Sequence, residues 1–162
     1  MNLPYRKPAR LRNFDYGQPG CYFITICTTD MQCVLSHISA GEGLAPPTAA
    51  LLPFGEIADA QIQAISSRFP TVQVDKYVIM PNHIHMILTL TGITGGASPS
   101  PTVIDVVRAF KSITTRLCKV NGHLFQRSFH DHIIRTEEDY RMIWTYIDNN
   151  PAKWAQDRFY CD

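Results

Sequence analysis

Apolar and polar positions along the chain alternate with two periods, one of strands and one of helices, separated by clusters of Gly, Pro, Ser and Asn. Cys21 to Thr28 is dense in aromatic and β-branched residues and reads as a strand. A weaker strand is expected from Cys33 to His37. Residues 38–53 contain Gly41, Gly43, Pro46, Pro47 and Pro53 and read as loop, with one short extended pairing near Leu51. From Phe54 to Phe69 the residues Ile57, Ala60, Gln61, Ala64, Ile65 and Phe69 recur at steps of three and four, the spacing of a helix that Pro70 stops. Val72 to Met80 and His83 to Leu90 are two strands around Pro81-Asn82. Pro presets φ at the first central position of a turn and Asn tolerates the second, so a hairpin with a two-residue turn is expected. Residues 91–101 hold three Gly and two Pro and read as a flexible connection. Thr102 to Val120 is the next helix, with Thr102 as cap, Asp105 three residues on, and an apolar stripe from Val103 through Val106, Val107 and Phe110 to Leu117. A last strand is expected around Phe129 to Ile134. Glu137-Glu138-Asp139 then places acids on the positive end of a final helix that runs to about Asn149, ahead of Pro151.

Strand, helix, two strands, helix and strand, in that order and joined as antiparallel meanders, specify an α+β ferredoxin-like (RRM-like) sandwich. Two helices would cover one face of an antiparallel sheet, and the C-terminal helix is additional to that core. The 162 residues, 45% of them apolar, fit one domain spanning 1–162.

Charge changes this picture only locally. The formal net charge is +1, so any affinity for nucleic acid has to come from clusters. Residues 1–20 form a basic arm with Arg6, Lys7, Arg10 and Arg12. Arg108, Lys111, Arg116 and Lys119 lie off the apolar stripe of the second helix, and Arg127 and Arg135 flank the last strand. Each cluster reads equally as a solvated surface or as a phosphate-binding one. The five Cys form no C-x-x-C pair, and the odd count argues against a zinc knuckle and a secreted disulfide framework. No apolar run has the length of a membrane span and no signal core is present, so a reduced, cytoplasmic protein is expected, with no membrane partner.

The chemistry concentrates in two places. His83 and His85 are two apart on a strand and so project from one face, while Ile84 and Met86 project from the other. Two such imidazoles can grip a divalent metal or decorate a surface strand. On the last helix Tyr140, Ile143, Trp144 and Ile147 form the core-facing stripe. Tyr146 lies off that stripe and shares its face with Met142 and, one turn on, with Asn149 and Asn150; a boundary tyrosine with a wetted hydroxyl is the plain reading, and the amide beside it singles the residue out.

Met80-Pro81-Asn82-His83-Ile84-His85, Gln126-Arg127-Ser128-Phe129-His130-Asp131-His132-Ile133-Ile134-Arg135 and Tyr146-Ile147-Asp148-Asn149-Asn150-Pro151 together resemble the single-tyrosine HUH transposases. These are the insertion-sequence-200-like family, and the closer likeness is to the REP-associated tyrosine transposases. The resemblance implies that His83 and His85 are the HUH pair on a divalent cation, Mg²⁺ or Mn²⁺. It implies that Asn150 is the third ligand, with Asn149 as the substitute because Pro151 disfavours helical geometry at Asn150. It further implies that Tyr146 is the nucleophile and that single-stranded or hairpin DNA is the partner, bound through Arg6, Lys7, Arg10, Arg12, Arg108, Lys111, Arg127 and Arg135. The expected activity is metal-assisted cleavage and strand transfer through a covalent 5′-phosphotyrosine. The alternative is a degenerate or domesticated single-stranded nucleic-acid-binding module. Relatives include dimers and monomers, and the resemblance leaves a homodimer open. The resemblance also covers Asp131-His132, without a physical role.

Overall fold

Alternation along the hairpin strands decides which side of the sheet becomes core. The computed structural model describes Leu11, residues 13–92 and residues 99–161. Its elements are β1 (Gly20–Cys27), β2 (Ser36–Ser39), β3 (Thr48–Leu51), α1 (Pro53–Gln63), α2 (Ile65–Arg68), β4 (Val72–Ile79), β5 (His83–Leu90), α3 (Val103–Leu117), β6 (His130–Ile134) and α4 (Glu137–Asn149). The main sheet has the order β4-β5-β1-β6 and is antiparallel throughout. With the small β2–β3 ribbon left aside, this is the α+β ferredoxin-like arrangement that the element order predicts.

Tyr22, Ile24 and Ile26 of β1 and Ile84, Met86 and Leu88 of β5 point to one face and are buried there with Ala58 and Ile62 of α1 and Val103, Val106, Val107 and Phe110 of α3. Each fully buried side chain of this size contributes about 1.5–3 kcal/mol of transfer free energy. The register pairs Thr25 with His85 and Cys27 with His83, so the imidazoles occupy the opposite face, on which α4 rests. Both caps read in the sequence are formed. Thr102 and Asp105 make a reciprocal capping box on α3, and Asp139 N–H donates to Thr136 Oγ1 at 3.1 Å to open α4.

Three boundaries differ from the expectation. The first helical stretch is two helices, because ψ flattens to −6° at Ala64; Ile62 and Ile65, on either side of the break, are both buried at 1% exposure. The weak strand starts at Ser36, not Cys33. Leu35 N–H is drawn instead to Pro81 O at the hairpin turn, and Leu35 O accepts from Leu52 N–H. The extended pairing near Leu51 is β3, matched to β2. The arm residues Arg6, Lys7, Arg10 and Arg12 lie outside the described residues, as do residues 93–98 of the connection before α3.

Candidate active site

Met80 N–H donates to His83 O at 2.8 Å, closing the Pro81-Asn82 turn and setting His83 at the first position of β5. The His83 and His85 rings lie 4.5 Å apart between centroids and are 0% and 1% exposed. Their Nδ1 atoms are both engaged. Asn82 Nδ2 donates to Phe159 O at 2.7 Å, which orients the amide so that its Oδ1, 2.9 Å from His83 Nδ1, accepts the ring proton. Thr25 Oγ1 lies 2.8 Å from His85 Nδ1, where it can accept likewise. Occupied Nδ1 atoms leave the Nε2 lone pairs as the ones that could ligate a metal.

Tyr146 reaches this pair from α4. Its hydroxyl stands 3.4 Å from His85 Nε2, with the phenol ring edge-on to Phe23 at 6.1 Å. The residue stays 43% exposed, so part of its side chain faces solvent. Desolvation, followed by the nearby Asp157 carboxylate, raises the phenol pKa above its ordinary value. Two residues of β4 hold α4 in place. Asp75, at an irregularity in the register between Val74 and Lys76, accepts from Tyr140 Oη at 2.9 Å and from Thr89 Oγ1 at 2.7 Å. Lys76 pairs with Asp148 and sits 4.8 Å over the Trp144 ring. Both ends of the helix are thus tied to its own sheet.

The chain then turns back. Asn150 is helical (φ −59°, ψ −45°) in spite of Pro151, because Pro151 opens a 3-10 turn, Pro151–Gln156, and proline is well suited to the first position of a helical segment. This geometry buries Asn150 at 2% exposure and leaves Asn149 outside. The turn delivers Asp157, whose Oδ2 is 3.9 Å from His83 Nε2 and accepts from Asn150 Nδ2 at 3.4 Å. Phe159 covers His83 at 4.7 Å between rings. One ligand atom each from His83, His85 and Asp157 lie within 4.8 Å of one another, a group that could hold a metal ion. His83 Nε2 and Asn150 Oδ1 are buried with no hydrogen-bond partner among the described residues. Orphaned acceptors beside a carboxylate fit a cation. Asp157 carries no motif in the sequence, since it lies beyond the helix and becomes a neighbour only through the Pro151–Gln156 turn.

The same fold brings Cys33 and Cys161 beside each other, and Cys21, Cys27 and Cys118 stand apart from them as free thiols. The partners are 128 residues apart, and spacing rules register only local pairs.

Burial, the largest cause, lowers the His83 pKa to about 4, and it holds His85 well below its ordinary value with His83 as the next cause. Both rings are therefore neutral at pH 7, the ligating form. Groups with depressed folded pKa values contribute stability that is present above the unfolded pKa and lost as pH falls through the folded one. Metal-free protein is thus expected to lose stability between pH 6.5 and about 4, by about 3 kcal/mol from His83. Urea denaturation in chelator at steps of pH measures this, and a flat profile across that window would contradict it.

Arg108, Lys111, Arg116, Lys119 and Arg127 line a groove of about 710 Å³ between α3 and residues 120–129. Lys111 Nζ donates to Gln126 O and to Arg127 O, which anchors the loop. Gln126 N–H donates to Cys27 O and Thr29 N–H to Leu124 O, both at 2.9 Å, so the loop leads from the groove to the sheet end that carries His83. Arg135 is exposed beyond β6. His130 and His132 pair with Thr25 and Phe23 and so share the imidazole face, and His132 Nε2 contacts Asp139 Oδ2 of α4 at 2.7 Å.

No protein-family model matches the chain. An uncharacterized protein of Haemophilus influenzae is 33% identical over 178 residues, covering 99% of this chain and 96% of that protein. Among solved structures, a REP-associated tyrosine transposase bound to a REP hairpin aligns with a TM-score of 0.58 at 22% identity, over 94% of this chain and 74% of that one. The chain therefore has a transposase-like fold. Among the described residues no helix is long and apolar enough to cross a membrane.

Proposed function

The chain belongs to one family with the uncharacterized Haemophilus influenzae protein, and we propose that its function is that of a single-tyrosine HUH transposase of the REP-associated kind, cleaving and rejoining single-stranded or hairpin DNA. The observation that carries this reading is the Tyr146 hydroxyl 3.4 Å from Nε2 of the buried His85, within the His-His-Asp group. The REP hairpin held by the protein of similar fold supports DNA as the partner.

His83, His85 and Asp157 would hold the cation, with Asn150 Oδ1 as a further donor; Mg²⁺ or Mn²⁺ suits the oxygen ligands, and Mn²⁺ also accepts imidazole. When bound, the ion supplies Lewis-acid polarisation of a phosphoryl oxygen and orientation of the scissile bond. The carboxylate of Asp157 offsets one of its charges. The chain's own groups do the rest. The Tyr146 phenol oxygen bonds to phosphorus and gives up its proton, while the P–O3′ bond breaks and the departing 3′-oxygen takes up a proton. A 5′-phosphotyrosine remains. Attack by another strand's 3′-hydroxyl reverses the step and joins the strands. Asp75 and Lys76, by tethering α4, hold the phenol over the imidazoles.

The test is a pair of labelled hairpin oligonucleotides with single-stranded flanks, incubated with Mn²⁺ and run on denaturing gels. A 3′ label is expected to shift with the protein and a 5′ label to leave as a shorter free strand, both effects ending with chelator. Metal-independent retention of both labels, or binding with no adduct on cognate hairpins, would turn the reading toward the non-catalytic binding module.

The basic groove is the expected path for the DNA backbone. Arg108, whose side chain is 75% exposed, is available to a phosphate. Arg108→Ala should weaken hairpin binding and reduce the salt slope by about 0.7–0.9, one phosphate's worth. Titrations at several salt concentrations give the slope, and an unchanged one removes α3 from the path.

A further inference from the structure

Beside Tyr146 lies a cavity of about 690 Å³, walled by α4 on one side and by the Pro151–Gln156 turn and Arg158 on the other. We propose that it is a nucleotide subsite that receives one unpaired base next to the scissile phosphate and reads its identity through the side-chain amides of Asn149 and Gln156. The inference rests on the tyrosine chemistry proposed above and adds where the substrate's selectivity is decided.

Met142, Tyr146 and Asn149 are spaced four and three residues apart, so they form one face of α4 toward the cavity. Met142 is 66% exposed, an apolar, polarisable side chain that the core does not use. It provides a platform against the flat face of a base. Asn149 and Gln156 are both exposed and line the cavity from its two walls. Each carries a carbonyl acceptor and an amide donor, the pair of functions that reads a base edge, adenine N6 and N7 above all. Lys153 and Arg158 complete the lining and offset phosphate charge. A cavity that served phosphate alone would have no use for the methionine or the two amides. Its volume accepts a nucleotide, Asp157 is shared between its wall and the His-His-Asp group, and Tyr146, also in the wall, stands 3.4 Å from His85 of that group. A phosphate at that group would carry its neighbouring base into this space.

The probe is each of the four 2′-deoxynucleoside 5′-monophosphates, with inorganic phosphate as control. They are titrated into full-length protein bearing ¹³C-methyl methionine, and the Met142 resonance is assigned with Met142→Leu. The Met142 methyl is expected to move through the ring current of a stacked base. One nucleotide, dAMP by the amide chemistry, should half-saturate at least about fivefold below the others. Asn149→Ala and Gln156→Ala should bring the four within about twofold while the remaining methyl resonances stay in place. Inorganic phosphate reproducing the shift, four equal nucleotides in the wild type, or a Met142 methyl unmoved by all of them would each overturn the subsite. Adduct formation measured on the same proteins separates the two readings. A silent Met142 in a protein that forms the adduct sinks the subsite alone. A selective Met142 shift in a protein that forms no adduct on any hairpin sinks the tyrosine chemistry and leaves the pocket.

Discussion

Tyr146→Phe is expected to abolish the covalent protein–DNA adduct, by more than about 10⁴-fold, the scale on which removing a nucleophile acts. The substitution deletes the single atom that would bond to phosphorus and leaves the ring, which packs against Phe23 and His85. Stability should fall by about 1 kcal/mol or less, the cost of the long 3.4 Å contact between the hydroxyl and His85 Nε2. Hairpin affinity should also be preserved, because phosphate contacts set it. The other tyrosine of α4 is a poor substitute. Tyr140 donates its proton to Asp75, and burial together with that carboxylate raises its pKa to about 12. A covalent band that survived in Tyr146→Phe would refute the assignment and make Tyr140 the next candidate. A band lost together with the fold, seen by circular dichroism, would call for Tyr146→Ser, which also removes the phenol but is smaller than the native side chain.

The second large effect concerns the metal group. His85→Ala is expected to cut Mn²⁺ affinity by more than about 100-fold, because even outer partners of metal-ligating imidazoles cost 10–100-fold. Adduct formation should fall with it. Asn82→Ala tests the outer layer itself. It frees His83 Nδ1 from its acceptor and releases Phe159 O, and a loss of about 10–100-fold in affinity is expected. Asp157→Asn keeps the shape and removes the charge, whereas Asn150→Ala removes the neutral donor. Calorimetric titration of the four variants ranks them, and the carboxylate should matter more than the amide. Equal Mn²⁺ binding in His85→Ala and wild type would mean that the imidazoles are not the ligands.

Much of the fold was legible because its signals are local. The β-branched runs around Pro81-Asn82, the Thr102–Asp105 capping box and the acids opening α4 each declare an element within a few residues. The face of the sheet that carries His83 and His85 followed from period-two alternation. The kink at Ala64 escaped, since Ile62 and Ile65, three residues apart, share one face of a continuous helix equally well. The candidate site was only partly legible. The His pair lies on one strand and Tyr146 one helix away, but Asp157 reaches His83 only after the chain reverses at Pro151. Asn150 carried a misleading local signal: proline after it speaks against helical geometry, yet the same proline begins the turn that keeps it helical. The approach of Cys33 to Cys161 belongs to long-range geometry that no spacing rule contains, and the contact of His132 with Asp139, seven residues apart, depends on how the chain turns from β6 into α4.

The tethering of α4 by Asp75 and Lys76 has a consequence for kinetic order. The phenol and the imidazoles that face it belong to one polypeptide, so the nucleophile's local concentration is fixed by the fold and not by the amount of protein in solution. Cleavage on saturating DNA would then be first order in protein down to high dilution. Two crippled chains, one lacking the Tyr146 hydroxyl and one lacking His85, are then expected not to restore each other by mixing; restored cleavage would mean that the tyrosine serves a neighbour's imidazoles.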